Sequence, residues 1–154
     1  MNHEVFKIEN SIVVSEVELR YSKIKTFFKA VNDVVKVSSN KTIDYEYIKK
    51  SMPKKVGDRP NIYGIYTKKG DGEWELKYIG QRKQDGILQR LNNHLHTNNE
   101  GTQSKNSNVK EALREGREIG IKLFYINPDS MRLYYEEKLI SDLCQNNWNQ
   151  QKHK

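Results

Sequence analysis

The chain has 154 residues and a formal net charge of +7, with 35% hydrophobic and 31% charged residues. This length suits one domain with a modest extension, and periodic apolar runs argue for a small core rather than disorder. The apolar runs are too short to span a membrane, and the N-terminus lacks the pattern of a signal peptide. The positive charge favours a polyanionic partner, although many soluble proteins are this basic for solubility alone.

Residues 1–60 are predicted to form an N-terminal helical arm. Apolar residues recur near the helical period between Ser15 and Val37, and Ser15 is placed as the helix cap. A loop and a short helix or strand follow. Gly57 and Pro60 then mark the predicted boundary with the second part of the chain.

Residues 61–154 show a different pattern, which predicts three strands and three helices. The first two strands are predicted over residues 61–67 and 73–80, joined by a glycine-containing hairpin turn. In the second of them Trp74, Leu76 and Tyr78 alternate with charged residues. The order β-β-α-α-β-α predicts an α+β fold, with a small three-stranded antiparallel sheet flanked by helices. Cys144 is expected in the core, and a reducing, cytoplasmic location fits a single cysteine.

The helix after the hairpin, predicted from Asp85 to about His96, carries an arginine and a histidine on one face. Arg90 and His94 are four residues apart, so they are neighbours beside the apolar stripe. An arginine at that rim can reach into a site while its helix stays packed. The alternative is a solvated arginine with a surface histidine.

The last helix carries a carboxylate where the helical wheel predicts an apolar stripe. With Leu133, Leu139 and Ile140 on that stripe, Glu136 falls in its middle and Glu137 falls at its edge. A carboxylate on a buried face needs a compensating arginine, a set of donors or a metal ion. The pattern therefore selects Glu136 as functional, with an ion pair to an arginine as the structural alternative.

These residues together resemble the GIY-YIG endonuclease superfamily. The first motif is Gly64-Ile65-Tyr66, and the second is Tyr78-Ile79-Gly80. They are followed in order by Arg90-x-x-x-His94, by Glu136 and by a closing Asn149. The resemblance covers about residues 61–150. The proline that often precedes the closing asparagine in this family is missing here.

The resemblance implies metal-dependent cleavage of DNA phosphodiesters on a three-stranded antiparallel sheet. Tyr66 would activate or position the attacking water, and Tyr78 would tune it. Arg90 would hold the scissile phosphate, and His94 would bond to the site or to a phosphate oxygen. The family's roles for the last two residues are metal binding by Glu136 and support of the site by Asn149. Some members carry a further polar residue, for which this chain offers Ser104, Lys105, Asn106 and Ser107.

The function expected from the resemblance is a Mg²⁺- or Mn²⁺-dependent DNA endonuclease, of a small restriction type or from a mobile element. Mg²⁺ suits a site with one carboxylate, because it keeps several waters and takes phosphate oxygens as ligands. Site-specific cutting of both strands would favour a homodimer. The alternative is a non-catalytic nucleic-acid-binding module that retains the fold.

Overall fold

The structure is a computed structural model that describes residues 3–96, 105–144 and 147–151, with the side chains of residues 16–96, 105–144 and 147–149. The helices in these residues are α1 (His3–Lys29), α2 (Tyr45–Ser51), α3 (Ile87–Leu95), α4 (Asn106–Arg114) and α5 (Arg132–Leu143). The strands are β1 (Val35–Lys36), β2 (Ser38–Ser39), β3 (Thr42–Ile43), β4 (Ile62–Lys69), β5 (Glu75–Gln81) and β6 (Arg117–Phe124). Within the same residues, no helix has the length and apolar character that a membrane span requires.

The main sheet is antiparallel and has four strands in the order β1-β6-β4-β5, where the sequence predicted three. The additional strand is β1, which pairs Val35 with Ile121 of β6. The prediction of a helix through Val37 was therefore wrong. The helix ends at Lys29, and the valines that follow are β-branched residues that suit a strand better than a helix.

The first helix also begins earlier than predicted, at His3 rather than after Ser15. Neither glycine nor proline occurs within it, so the sequence contains no strong signal that would interrupt the helix at Ser15. Its second half packs Tyr21, Ile24 and Phe28 into the core.

The sheet has a hydrophobic core on each face. The first cluster lies under α2, α3 and α4 and includes Tyr63, Ile65, Tyr78, Leu91 and Val109. The second cluster lies under α1 and α5 and includes Tyr21, Phe28, Ile62, Tyr135 and Leu139. Both clusters therefore contain residues from each side of the predicted boundary at residue 60, and Cys144 is buried in the second, as expected.

A β-bulge in β5 separates two residues that the alternation pattern had placed on one face. Ile65 pairs with Tyr78 and Tyr66 pairs with Leu76, so Lys77 is an extra residue in β5. As a result Tyr78 packs in the first cluster and Leu76 packs against the second.

Candidate functional site

Two tyrosines on neighbouring strands form the centre of the candidate site. Tyr63 on β4 is fully buried and Tyr78 on β5 is 8% exposed, and their ring centroids are 6.1 Å apart. The residue paired with Tyr63 across the strands is Gly80. A Cβ atom at Gly80 would lie 2.4 Å from the Tyr63 hydroxyl oxygen, so the glycine of the second motif leaves room for this ring.

Tyr66, which the sequence placed in the site, lies on the opposite face of the sheet. Its hydroxyl donates a hydrogen bond to the Phe28 carbonyl oxygen at 2.5 Å, at the end of α1. Burial raises its pKa well above the usual value. Side chains alternate along a strand, so positions three apart point to opposite faces, and it is Tyr63 that faces Tyr78.

His94 contacts both tyrosines from α3. Its Nε2 atom lies 2.8 Å from the Tyr63 hydroxyl oxygen, and its ring centroid is 5.1 Å from that of Tyr78. The imidazole is fully buried rather than exposed. Burial, with the positive charges of Arg90 and Lys105, lowers the pKa of His94 to about 3.

Arg90 and Glu136 both act on the two tyrosines. Burial raises the pKa of Tyr63 well above 10 and also raises that of Tyr78. Arg90 opposes both increases through its charge and a hydrogen bond, whereas the Glu136 carboxylate adds to them. The structure therefore brings together four of the predicted residues: Tyr78, Arg90, His94 and Glu136. The second phenol beside them is Tyr63 rather than Tyr66.

Glu136 lies at the edge of the buried face of α5 rather than in its middle. The buried residues of this helix are Tyr135 and Leu139, while Leu133 is 51% exposed. Glu136 is half-buried and Glu137 is exposed. The helical wheel placed Glu136 closer to the buried face than Glu137, and the burial of the two residues agrees with that order. Its placement of Leu133 in the apolar stripe was wrong.

A polar network fixes the start of α5 relative to the sheet. The buried Asn61 amide donates to the Asp129 carboxylate at 2.8 Å, and Arg132 donates to the same carboxylate at 2.6 Å. Arg132 also donates to the Gln81 side chain at the end of β5, at 2.7 Å. Because Arg132 precedes Glu136 by one helical turn, this network also determines where Glu136 lies.

Asn149 holds the outer edge of β5 beside Tyr78. Its side-chain oxygen accepts from the Ile79 amide and its side-chain nitrogen donates to the Ile79 carbonyl oxygen, both at 2.9 Å. The side-chain amide thus occupies the place that a neighbouring strand would take on this edge strand. Trp148, next to it, packs in the first core cluster.

Positive charge surrounds His94. The positive charges of Arg90, Lys105 and Arg82 all lower the pKa of His94. Lys105 is only 5% exposed, and its ammonium nitrogen lies 5.9 Å from the centroid of the Tyr78 ring. The carboxylate near the tyrosines is that of Glu136, which raises the pKa of Tyr78. The three positive charges around His94 suit a negatively charged ligand.

The four residues that the sequence offered as a further polar site residue, Ser104 to Ser107, differ in position. Ser104 lies outside the described residues, and Ser107 is exposed. The Lys105 backbone amide donates to His94 Nδ1 at 2.9 Å, and the Asn106 side chain donates to the His94 carbonyl oxygen at 3.0 Å. Lys105 and Asn106 therefore support His94 directly.

The described residues contain no group of three or more histidine, cysteine, aspartate or glutamate side chains that would enclose a metal ion. Glu136 is a single half-buried carboxylate beside two phenols. Such a donor set fits a hard cation that keeps several waters, such as Mg²⁺, and does not fit a site with only protein ligands. A cavity of about 260 Å³ between α2 and β6 is lined mainly by apolar side chains and contains none of these residues.

Sequence reasoning missed Tyr63 and left Lys105 undecided. The signal for Tyr63 was present, since only one of the two β4 tyrosines can share a face with Tyr78.

Comparison with known proteins adds no assignment: no family model matches the chain, and we found no significant match to a curated protein or a solved structure.

Proposed function

We propose that the chain is a divalent-metal-dependent DNA endonuclease of the GIY-YIG type, which hydrolyses phosphodiester bonds. The observation that carries the proposal is the buried cluster of Tyr63, Tyr78 and His94, whose ring centroids lie 5.1 to 6.1 Å apart. Arg90 and Glu136 lie near enough to this cluster to shift the pKa of both phenols in opposite directions. These groups come from two strands and two helices. The phenol rings also pack in the first core cluster, but packing requires neither the guanidinium of Arg90 nor the carboxylate of Glu136.

The chemistry assigns each group a part. Arg90 binds a non-bridging phosphate oxygen, because a guanidinium can grip phosphate through two hydrogen bonds. Tyr78, the more exposed phenol, orients the attacking water, and Tyr63 lies behind it. Glu136 would hold Mg²⁺ or Mn²⁺, which supplies positive charge to the scissile phosphate when bound. Tyr66 has no part in this proposal because it faces the other core.

The test is cleavage of plasmid DNA in Mg²⁺ or Mn²⁺, with EDTA as the metal-free control. We expect the wild-type protein to cut, and Glu136→Gln to lose activity by at least about 100-fold. Glu137→Gln is the matched control, since it removes an exposed carboxylate from the same helix. Sequencing the DNA ends would show whether cutting is site-specific and staggered, as a homodimer with two sites would produce.

Two results would contradict the proposal. If the wild-type protein shifts DNA on a gel but never cuts it in either metal, the chain is a binding module that retains the fold. If DNA affinity shows no dependence on salt concentration, the basic surface does not bind phosphates at all.

A further inference from the structure

His94 uses both of its ring nitrogens inside the protein. Nδ1 lies 2.9 Å from the Lys105 backbone nitrogen, and Nε2 lies 2.8 Å from the Tyr63 hydroxyl oxygen. A backbone N–H can only donate, so Nδ1 must be the acceptor and carries no proton. An imidazole with a bare Nδ1 carries its proton on Nε2, which makes Nε2 the donor to Tyr63.

The direction of this hydrogen bond determines where the Tyr63 proton points. Since the Tyr63 oxygen accepts from His94, its own hydroxyl proton is directed away from the imidazole. Tyr78 is the neighbouring phenol, with its ring centroid 6.1 Å from that of Tyr63. A hydrogen bond from Tyr63 opposes the rise that burial causes in the pKa of Tyr78. The donors therefore run in one direction, from the Lys105 amide through His94 and Tyr63 to Tyr78.

We propose that His94 is a positioning residue, held as the neutral Nε2–H tautomer by the Lys105 backbone amide, and that it orients Tyr63 and through it Tyr78. It does not accept the Tyr63 proton, and it does not bind a phosphate oxygen. The catalytic meaning of this assignment rests on the proposed function, whereas the tautomer does not.

The first experiment reads the tautomer by NMR of protein with ¹⁵N-labelled histidine. The chain has four histidines, and the signal lost in His94→Gln identifies the one of interest. We expect the proton of His94 on Nε2 and a bare Nδ1 at neutral pH. Lys105→Met should show the same pattern, because it keeps the backbone amide. A proton on Nδ1, or on both nitrogens, would overturn the assignment.

The second experiment compares two amides at position 94. Glutamine is long enough to donate to Tyr63, whereas asparagine keeps an acceptor near the Lys105 amide and falls short of Tyr63. We expect DNA cleavage by His94→Gln to stay within about tenfold of wild type, and His94→Asn to lose more. If both folded variants lose about 10²–10⁴-fold, the imidazole acts as an acid or base and the proposal is wrong. Should the wild-type protein not cut DNA, the proposed function fails and the NMR result alone decides this inference.

Discussion

Acid should destabilise this protein through one buried imidazole, and His94→Gln isolates that effect. Burial lowers the pKa of His94 from 6.5 to about 3 in the folded protein. The unfolded chain therefore binds the proton more readily than the folded protein below pH 6.5, and stability falls with pH. The contribution of the neutral imidazole is fully present above pH 6.5, and it is lost progressively as pH falls toward 3.

The magnitude follows from linkage between pH 8 and pH 5. An unfolded pKa of 6.5 and a folded pKa of about 3 give a loss of about 2 kcal/mol at pH 5. The value at pH 5 changes little if the folded pKa is a unit higher, because the folded protein is still almost unprotonated there.

Urea unfolding followed by tryptophan fluorescence measures this loss, since Trp148 is buried in the first core cluster. The quantity to compare is the free energy of unfolding of wild type minus that of His94→Gln, at each pH. Other titrating groups are common to both proteins and cancel. A difference that stays constant from pH 8 to pH 5 would show that His94 titrates normally and is not held neutral by burial.

Two further predictions separate packing from chemistry on the two faces of β4. Gly80→Ala should destabilise the fold by about 1–3 kcal/mol in urea unfolding, because the new Cβ overlaps the Tyr63 ring. Gly57→Ala is the control: a Cβ there has no atom within 4 Å, so stability should change by less than about 0.5 kcal/mol. Tyr66→Phe should lower the free energy of unfolding by about 1–3 kcal/mol, because it leaves the Phe28 carbonyl oxygen without its donor. The folded variant should still cut DNA as wild type does. A loss of cleavage would show that Tyr66 belongs to the site.

The long elements could be predicted because their residue patterns repeat with the period of the structure. The strands β4 and β5 and the helix α3 lie close to their expected positions for this reason. The two-residue strand β1 has no such pattern. It depends on pairing with β6, more than eighty residues later in the chain, which no local signal in the sequence shows.

Of the predicted site residues, Tyr66 lies apart from the others, and its separate position has a structural cause. Both Tyr63 and Tyr66 lie within two residues of Gly64, and the sequence motif alone favoured the second. Two facts decide between them: the bulge at Lys77, which places Tyr78 opposite Ile65, and the close approach of Gly80 to the Tyr63 ring. Both arise from pairing between strands, so the choice needed the register of the hairpin.

The effect of the Glu136 charge on the pKa of the two phenols determines how the activity of Glu136→Gln is interpreted. Burial is the largest cause of the raised pKa of Tyr63 and of Tyr78, and the Glu136 carboxylate raises both further. Removing its charge in Glu136→Gln should therefore make the two phenols more acidic, which raises the fraction of phenolate, a better hydrogen-bond acceptor for the attacking water than the neutral phenol. A loss of cleavage in this variant then has to come from the lost carboxylate ligand. In contrast, a gain would show that the carboxylate serves only to restrain the phenols.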